Sequence, residues 1–450
     1  MTSNAIHFAP RAQDCSGDLQ NALDSAAAAQ QVLVLEPGVH RCGGLRLPSG
    51  LHLVLAEGAV LQLVADYDAY AANTVGVIAE DSDRAALYAS NATKLRISGP
   101  GRIEAPGPDY INGELAEMGV HLPAALRPRV LVLEHCTDVV LEGFSVAQSP
   151  MWTLHMIGCR NLTLTGLTIR NDRRMPNTDG IVIDSCQGVT IRDCDIDTAD
   201  DGIVLKTGLG PDQAPVGMCA DIDVSACTIA SRSCALKIGT ESHGDFRNIR
   251  FADCTIAASN RALGIFSRDG GTVTDVSFAR ITLDCEETPA GYWGSGEAIT
   301  VNCVDRRPGK PAGSVQRISF EDITGRMEGA VNLIADGAAG ISDVTLRRVH
   351  LTQVEGRHGG TSYDVRPTHF DLLPSKDAGG RANAFVKDEA GNVIGLVAYP
   401  GGMPALYAHN IDNLTCEDVG FQRPQPLPAG WHPDAVVTVT KVPATWSQGS

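Results

Sequence analysis

The chain has 450 residues, a formal net charge of -17 and a pI near 5.1, an acidic balance that argues against nucleic acid or an anionic membrane as a partner. No stretch reaches 18 apolar residues, so no membrane span is expected. Forty-seven glycines with only 5% aromatics suit a chain of many tight turns and thin, regular core layers. The length allows several ordinary domains or one elongated repeat domain. The first thirty residues contain Asp14, Asp18 and Asp24 and no apolar run of signal-peptide length, and the 13 cysteines form no C-x-x-C pair. Reduced core thiols and a cytoplasmic location are therefore expected, or a secreted or periplasmic one if the sequence is a trimmed mature form.

In chain order, Leu19 to Ala29 reads as a short amphipathic capping helix, followed by strand candidates Val32 to Leu35 and Leu51 to Leu55 between glycine and proline turns. A nine-residue repeat then appears, with copies starting at Lys94, Asp138, Asn161, Gly188, Asp221, Asn248, Asp275, Arg317, Asp343 and Asn413. The second, fourth, seventh and ninth places are mostly apolar, and the first is Asn, Asp, Gly or a basic residue. That pattern is a strand, a one-residue break of phase, and a second strand.

From Asp138 to Asp275 the copies start 23, 27, 33, 27 and 27 residues apart, the length of one coil of a parallel β-helix with variable loops. Such coils rise by about 4.8 Å each. The seventh places, Cys194, Cys227 and Cys254 among them, form an interior ladder, so these cysteines read as small core hydrophobes, not metal ligands. A leucine-rich repeat would need a regular Leu/Asn consensus that is missing. The expectation is one all-β domain over 1–450: a cap and first coils (1–90), regular coils (94–351), an inserted loop (355–410) and a C-terminal coil and tail (411–450). Within the insertion, Asn383 to Val386 and Val393 to Ala398 look like strands.

Asn177-Thr178-Asp179-Gly180 and Asp200-Asp201-Gly202 lie about one coil apart, so Asp179, Asp200 and Asp201 can share one surface patch. Three carboxylates so close repel, and at least one should keep its proton near neutral pH. This division suits inverting glycoside hydrolysis, which needs a protonated acid and a base roughly 6.5 to 9.5 Å away to admit a water. The bland alternative is that these are turn acids capping strand ends.

These two elements resemble the signature of glycoside hydrolase family 28, the polygalacturonase family of right-handed parallel β-helix enzymes. The stretches Leu47 to Leu53, Glu57 to Leu61, Arg127-Pro128 and Ser149 to Trp152 extend the resemblance over about residues 19 to 300. It implies Asp200 as general acid, Asp179 and Asp201 as the pair that positions and deprotonates water, and Asn177 as a supporting hydrogen-bonding residue. Two elements depart. The family's Gly-His-Gly falls where this chain has Ser233-Cys234-Ala235-Leu236-Lys237-Ile238-Gly239, and its carboxylate-contacting Arg-Ile-Lys falls near Arg261 to Phe266, where no lysine follows.

The same region offers Lys206, Lys237, Glu241, His243, Arg261 and Arg268 as substrate-binding candidates. Alternation turns Lys237 away from Leu236 and Ile238, toward the groove or simply toward solvent. His243 is a site residue or a turn histidine. Arg268 suits a carboxylate or sugar hydroxyls, or else an ion pair with Asp269 or Asp245. Tyr292 and Trp293, in a glycine-flanked loop, are candidate sugar-stacking rings or core aromatics. The expected function is inverting, exo-acting hydrolysis of galacturonan- or rhamnogalacturonan-type oligosaccharides, with no cofactor or metal. The rivals are a hydrolase or transferase for another sugar, a calcium-dependent polysaccharide lyase, and a non-catalytic carbohydrate-binding β-helix.

Overall fold

Each repeat copy bends at two places. In the computed structural model, which describes residues 5–11, 13–289, 292–368, 387–439 and 445–447, the first residue of every copy has a left-handed backbone. The φ values run from 53° to 69° at Asp138, Asn161, Gly188, Asp221, Asn248, Asp275, Arg317, Asp343 and Asn413. The sixth place, the break of phase, is left-handed as well, at Gly143, Gly166, Asp193, Ala226, Asp253, Arg280, Asp322, Arg348 and Asp418. An L-residue in this region costs about 1–2 kcal/mol, least for Asn and Asp.

The repeat recovers part of that cost by stacking the bends. Asn161 Nδ2 donates to Asp138 Oδ1 at 3.1 Å, Asn413 Nδ2 to Asp343 Oδ1 at 2.6 Å, and Arg280 Nε to Asp253 Oδ1 at 2.6 Å, each from one coil to its neighbour. This explains why so many of these places carry polar side chains where glycine would be less strained.

The result is a parallel β-helix with three faces. The first two come from the nine-residue copies: Thr137–Glu142, Arg160–Thr165 and Gln187–Arg192 stack on one, and Ser145–Ala147, Thr168–Arg170 and Asp195–Thr198 on the other. From Val273–Cys285 onward the two merge into single strands bent at the left-handed residue. Val139, Leu162, Val189, Ile222, Ile249 and Val276 are paired in sequence across the coils, so the observed register follows the repeat spacing.

The third face lies outside the repeat copies. It stacks Arg129–Glu134, Leu154–Ile157, Ile181–Asp184, Ile203–Thr207, Cys234–Ser242, Arg261–Ser267, Ile299–Val304 and Val331–Asp336. One apolar core runs from Phe8 to Cys416, with Phe251, Phe278 and Phe320 stacked at 4.8 and 4.9 Å. Cys194, Cys227 and Cys254 are buried in it, and all thirteen cysteines are free thiols.

The capping helix covers Ser16–Ala29 and buries Leu19, Leu23, Ala26 and Ala27 against the first coil. It begins three residues before the apolar pattern does, because Asp14 Oδ1 accepts the Ser16 N–H at 2.8 Å and sets the first turn without any apolar residue. In the inserted region, Ser362–Asp364 pairs antiparallel with Leu396–Ala398, a shorter strand than expected, and Leu406–His409 already belongs to the third face. The expected strand at Asn383 to Val386 lies outside the described residues.

Ala226 is a solvent-exposed left-handed residue with a Cβ and no polar group to stack. Ala226→Gly should therefore stabilise the protein by about 0.5–1 kcal/mol and Ala226→Val should destabilise it, readable as opposite shifts of a chemical-denaturation midpoint.

Candidate active site

The functional side chains sit where the chain turns from the second face into the third. Ile181 pairs with Ile203, so the turn 177–180 stacks directly on the turn 200–202. Gly180 N–H donates to the Asp201 carbonyl at 2.9 Å, and Gly202 N–H to the Cys234 carbonyl at 2.9 Å. Both glycines are required by this approach: a Cβ on Gly180 would lie 2.6 Å from the Gly202 carbonyl, and one on Gly202 2.6 Å from the Ala235 carbonyl and 2.4 Å from Ile229.

Stacking brings an oxygen of each of Asp179, Asp200 and Asp201 within 4.8 Å of the others, and all three residues are buried. Their environments differ. Asp200 accepts backbone N–H bonds from Asn177 at 3.2 Å and Asp201 at 3.0 Å. Asp201 accepts from Ser233 Oγ at 3.0 Å and from Lys237 Nζ at 2.7 Å. Asp179 accepts no hydrogen bond from a described residue, and its nearest cation, Lys206 Nζ, is 4.0 Å away. Burial, then the charges of Asp200 and Asp201, push the Asp179 carboxyl well above the ordinary range. Asp179 is thus a carboxyl whose surroundings favour its protonated form.

These acids open on a cavity of about 340 Å³ that Lys206, Lys237, Arg306 and Arg307 also line. Lys206 Nζ lies 2.7 Å from Glu241 Oε2 and 4.8 Å from the centre of the Trp152 ring. Burial works against both charges of that pair. Even so, Glu241 with Asp179 and Asp201 raises Lys206, and Lys206 with Arg306 holds Glu241 far below its usual range. A divalent cation bridging the three aspartates would meet the ammonium already on Asp201 and that of Lys206 beside Asp179, so the carboxylates fit a site compensated by lysines better than a metal centre.

Glycosyl hydrolases family 28 matches this chain over residues 61–365, an interval that contains every one of these groups. The chain belongs to that family. A probable polygalacturonase of Vitis vinifera is 32% identical over 28% of this chain, and the chain spans only 26% of that relative's length. The endo-polygalacturonase of Pectobacterium carotovorum subsp. carotovorum is 24% identical over 74% of this chain and 83% of its own. The Yersinia enterocolitica family 28 exopolygalacturonase has the same fold, with a TM-score of 0.67 at 15% identity over 98% of this chain and 79% of that one. Family 28 membership and the parallel β-helix fold thus agree in this chain.

Of the binding candidates, Asn177, Lys206, Lys237, Glu241 and Trp293 line the cavity with the three acids. Asn177 is held from both sides, its Oδ1 accepting from Arg127 at 2.9 Å and its Nδ2 donating to Glu80 at 2.9 Å. Lys237 faces outward as alternation requires, while Leu236 and Ile238 enter the core.

The other four are not at this cavity. Arg261 is buried in an ion pair with Asp364, 2.6 Å away, at the start of the inserted region. Arg268 pairs with neither Asp269 nor Asp245; it donates to the carbonyls of Val365 and Pro367 at 3.1 Å and to Asn302, and burial lowers its pKa to about 9. Tyr292 is 1% exposed and donates to the Ala199 carbonyl at 2.8 Å, so it fixes the chain just before Asp200 and stacks on no sugar. His243 lines an adjoining cavity of about 500 Å³ that shares Trp152, Lys206 and Glu241 with the first. Its Nδ1 lies 2.9 Å from Lys310 Nζ and burial lowers its pKa.

Sequence reasoning missed Glu80, Trp152, Thr240, Arg306, Arg307 and Pro367 on the cavity wall. Of these, Trp152 stood in the Ser149 to Trp152 stretch of the family resemblance without being assigned to the site, and Arg306-Arg307 carried a visible signal as two adjacent cations in the loop that follows a third-face strand.

Because the folded protein raises the Asp179 pKa, this group favours folding below the ordinary carboxylate pKa and opposes it increasingly as pH rises toward the shifted value. Asp179→Asn should therefore melt higher than the parent at pH 8, by a degree or two on the order of 1 kcal/mol, with the difference disappearing below about pH 4. Equal melting temperatures at both pH values would show that no proton is held there.

Proposed function

We propose that this enzyme cleaves galacturonan- or rhamnogalacturonan-type oligosaccharides from one end, by direct attack of water. The observation that carries the reading is the buried Asp179, Asp200 and Asp201 cluster beside Lys206 and Lys237, in a chain of this family. In this reading Asp200, oriented by two backbone N–H groups, delivers the cluster's proton to the leaving oxygen. Asp179 and Asp201 hold a water and take its proton as it attacks the anomeric carbon. Lys237 stabilises the charge on Asp201, and Lys206 that on Asp179 once its proton has moved.

Exo action is supported by how the inserted region meets the cavity. Asp364 and the carbonyls of Val365 and Pro367 are fastened by Arg261 and Arg268, and Arg366 Nη2 donates to the Tyr292 carbonyl at 2.6 Å. These anchors bring Pro367 to the cavity wall, and about 340 Å³ suits a short substrate. The buried free thiols are compatible with a reducing, cytoplasmic compartment in which such fragments would be processed.

Two observations favour a second assignment within the same chemistry. Burial and its two acidic neighbours favour the protonated form of Asp179, and the oxygens approach within 4.8 Å, closer than the roughly 6.5 to 9.5 Å of the usual inverting pair. Because three acids share the work, a water held between Asp179 and Asp201 needs no room in the gap to Asp200, which keeps inversion open to this geometry.

Leaving-group dependence separates the roles. Asp200→Asn should lose about 10²–10⁴-fold in kcat on a digalacturonate and recover most of it on an aryl galacturonide whose leaving group needs no proton, while Asp179→Asn and Asp201→Asn recover nothing. Recovery in Asp179→Asn instead would move the acid to Asp179, and full activity of Asp200→Asn on every pectic fragment would remove catalysis from this cluster. The first product seen by proton NMR should have the anomeric configuration opposite to that of the bond cleaved.

Hydrolysis, unlike a lyase reaction, should be indifferent to chelator and give no ultraviolet-absorbing unsaturated sugar. Activity lost to a chelator and restored by calcium would overturn the hydrolytic reading.

A further inference from the structure

We infer that Arg306 and Arg307 form the receptor for an anionic substituent of the substrate, the carboxylate of a uronic acid, and so determine its specificity. The inference rests on the hydrolase reading above and deepens it. Both arginines line the cavity, in the loop after Ile299–Val304. That strand is three coils beyond Ile203, about 14 Å along the helix axis at the usual strand spacing, so the pair meets a part of the substrate distinct from the bond at Asp200.

Charge accounting isolates the pair. Lys237 is matched by Asp201 and Lys206 by Glu241, each at 2.7 Å. Arg306 and Arg307 share a single buried carboxylate, Asp269. Arg306 reaches it through Nε at 3.0 Å and Nη2 at 2.6 Å, and Arg307 through Nε at 2.7 Å. Two guanidinium charges thus share one close carboxylate, while Glu241, already paired with Lys206, attracts Arg306 only at longer range. Nη1 of Arg306 and both terminal nitrogens of Arg307 donate to no described residue.

Asp269 is itself fixed by N–H contacts and neighbours: its Oδ2 accepts from the Ser242 N–H at 3.3 Å and lies 3.7 Å from His243 Nε2. The fork is thus held before any ligand arrives, which is what makes arginine suited to reading a planar carboxylate. Glu241, Asp200 and Asp201 would repel an anion elsewhere in the cavity, so the arginine wall also sets the direction in which a uronate enters.

The test compares a trigalacturonate with its carboxyl-reduced, neutral counterpart in steady-state kinetics, using the parent, Arg307→Gln and Arg307→Lys. Arg307 is only partly buried, and thermal melts establish that the variants fold. Arg307→Gln should raise KM for the uronate about 10–100-fold with kcat nearly kept, leave the neutral substrate within about 2-fold, and respond less to added salt; Arg307→Lys should recover part of the loss. Independently, free D-galacturonate should inhibit the parent in a salt-sensitive way and D-galactose should not. Equal losses on both substrates, or equal inhibition by the two monosaccharides, would overturn the receptor while leaving hydrolysis intact. A parent that cleaves no pectic substrate would overturn the functional reading and the inference together.

Discussion

Everything in this active site follows from the distance at which two turns of a β-helix can stack. Interstrand spacing fixes successive coils about 4.8 Å apart, and any side chain placed at the same turn of neighbouring coils must share space with its counterpart. Here the counterparts are Asp179 and the Asp200-Asp201 pair, pressed together because Gly180 and Gly202 let the backbones touch. The fold's own hydrogen-bond ladder supplies the energy that holds three mutually repelling carboxylates in one place. An acid with a perturbed proton affinity is therefore a product of the scaffold, with the stability cost spread over many coils.

Crowding alone requires that at least one of the three acids keep its proton but does not choose which. What differentiates them is local. Among the described residues, Asp200 receives two backbone donors, Asp201 a hydroxyl and an ammonium, and Asp179 a cation at 4.0 Å but no hydrogen bond. The donors come from the two stacked turns and from the next coil, so the same stacking that creates the repulsion also sorts the charges. Lys206 and Lys237 stand on the third face at positions where alternation turns them out of the core, and each is matched before substrate arrives.

The regular part of this architecture was legible in the sequence because it repeats. The strand phase, the coil length, the interior ladder through Cys194, Cys227 and Cys254, and the nearness of the three acids all follow from spacing. The left-handed first and sixth places were visible only as a polar first position and a break of phase, since Ala226 or Arg280 carries no mark of φ > 0. The binding residues were read less well, for a physical reason. Alternation tells which way a side chain leaves a strand, as it did for Lys237, but not whether an inserted loop will cover it. Arg261, Arg268 and Tyr292 leave their segments on the groove side of the molecule and are then buried by contacts to Asp364, to the 365–367 backbone and to Ala199. Arg306 and Arg307 come from a loop between coils and Glu80 from the turn of an antiparallel hairpin, where no repeat rule applies.

Arg261 and Arg268 show how a cation near the cavity can serve the fold instead of a ligand. A guanidinium that loses contact with a ligand is costly unless another acceptor replaces it, because its burial is compensated only by partners. The inserted segment provides those partners, Asp364 and two backbone carbonyls, and in return is held against the helix so that Pro367 reaches the cavity. The positive charge that faces the cavity is then supplied from another loop by Arg306 and Arg307 on Asp269. Arg261 and Arg268 act as fasteners for a loop, and Arg306 and Arg307 on another loop form part of the wall. A repeat fold accommodates this division, since each coil contacts only its neighbours and a loop can differ without disturbing the stack that holds the acids.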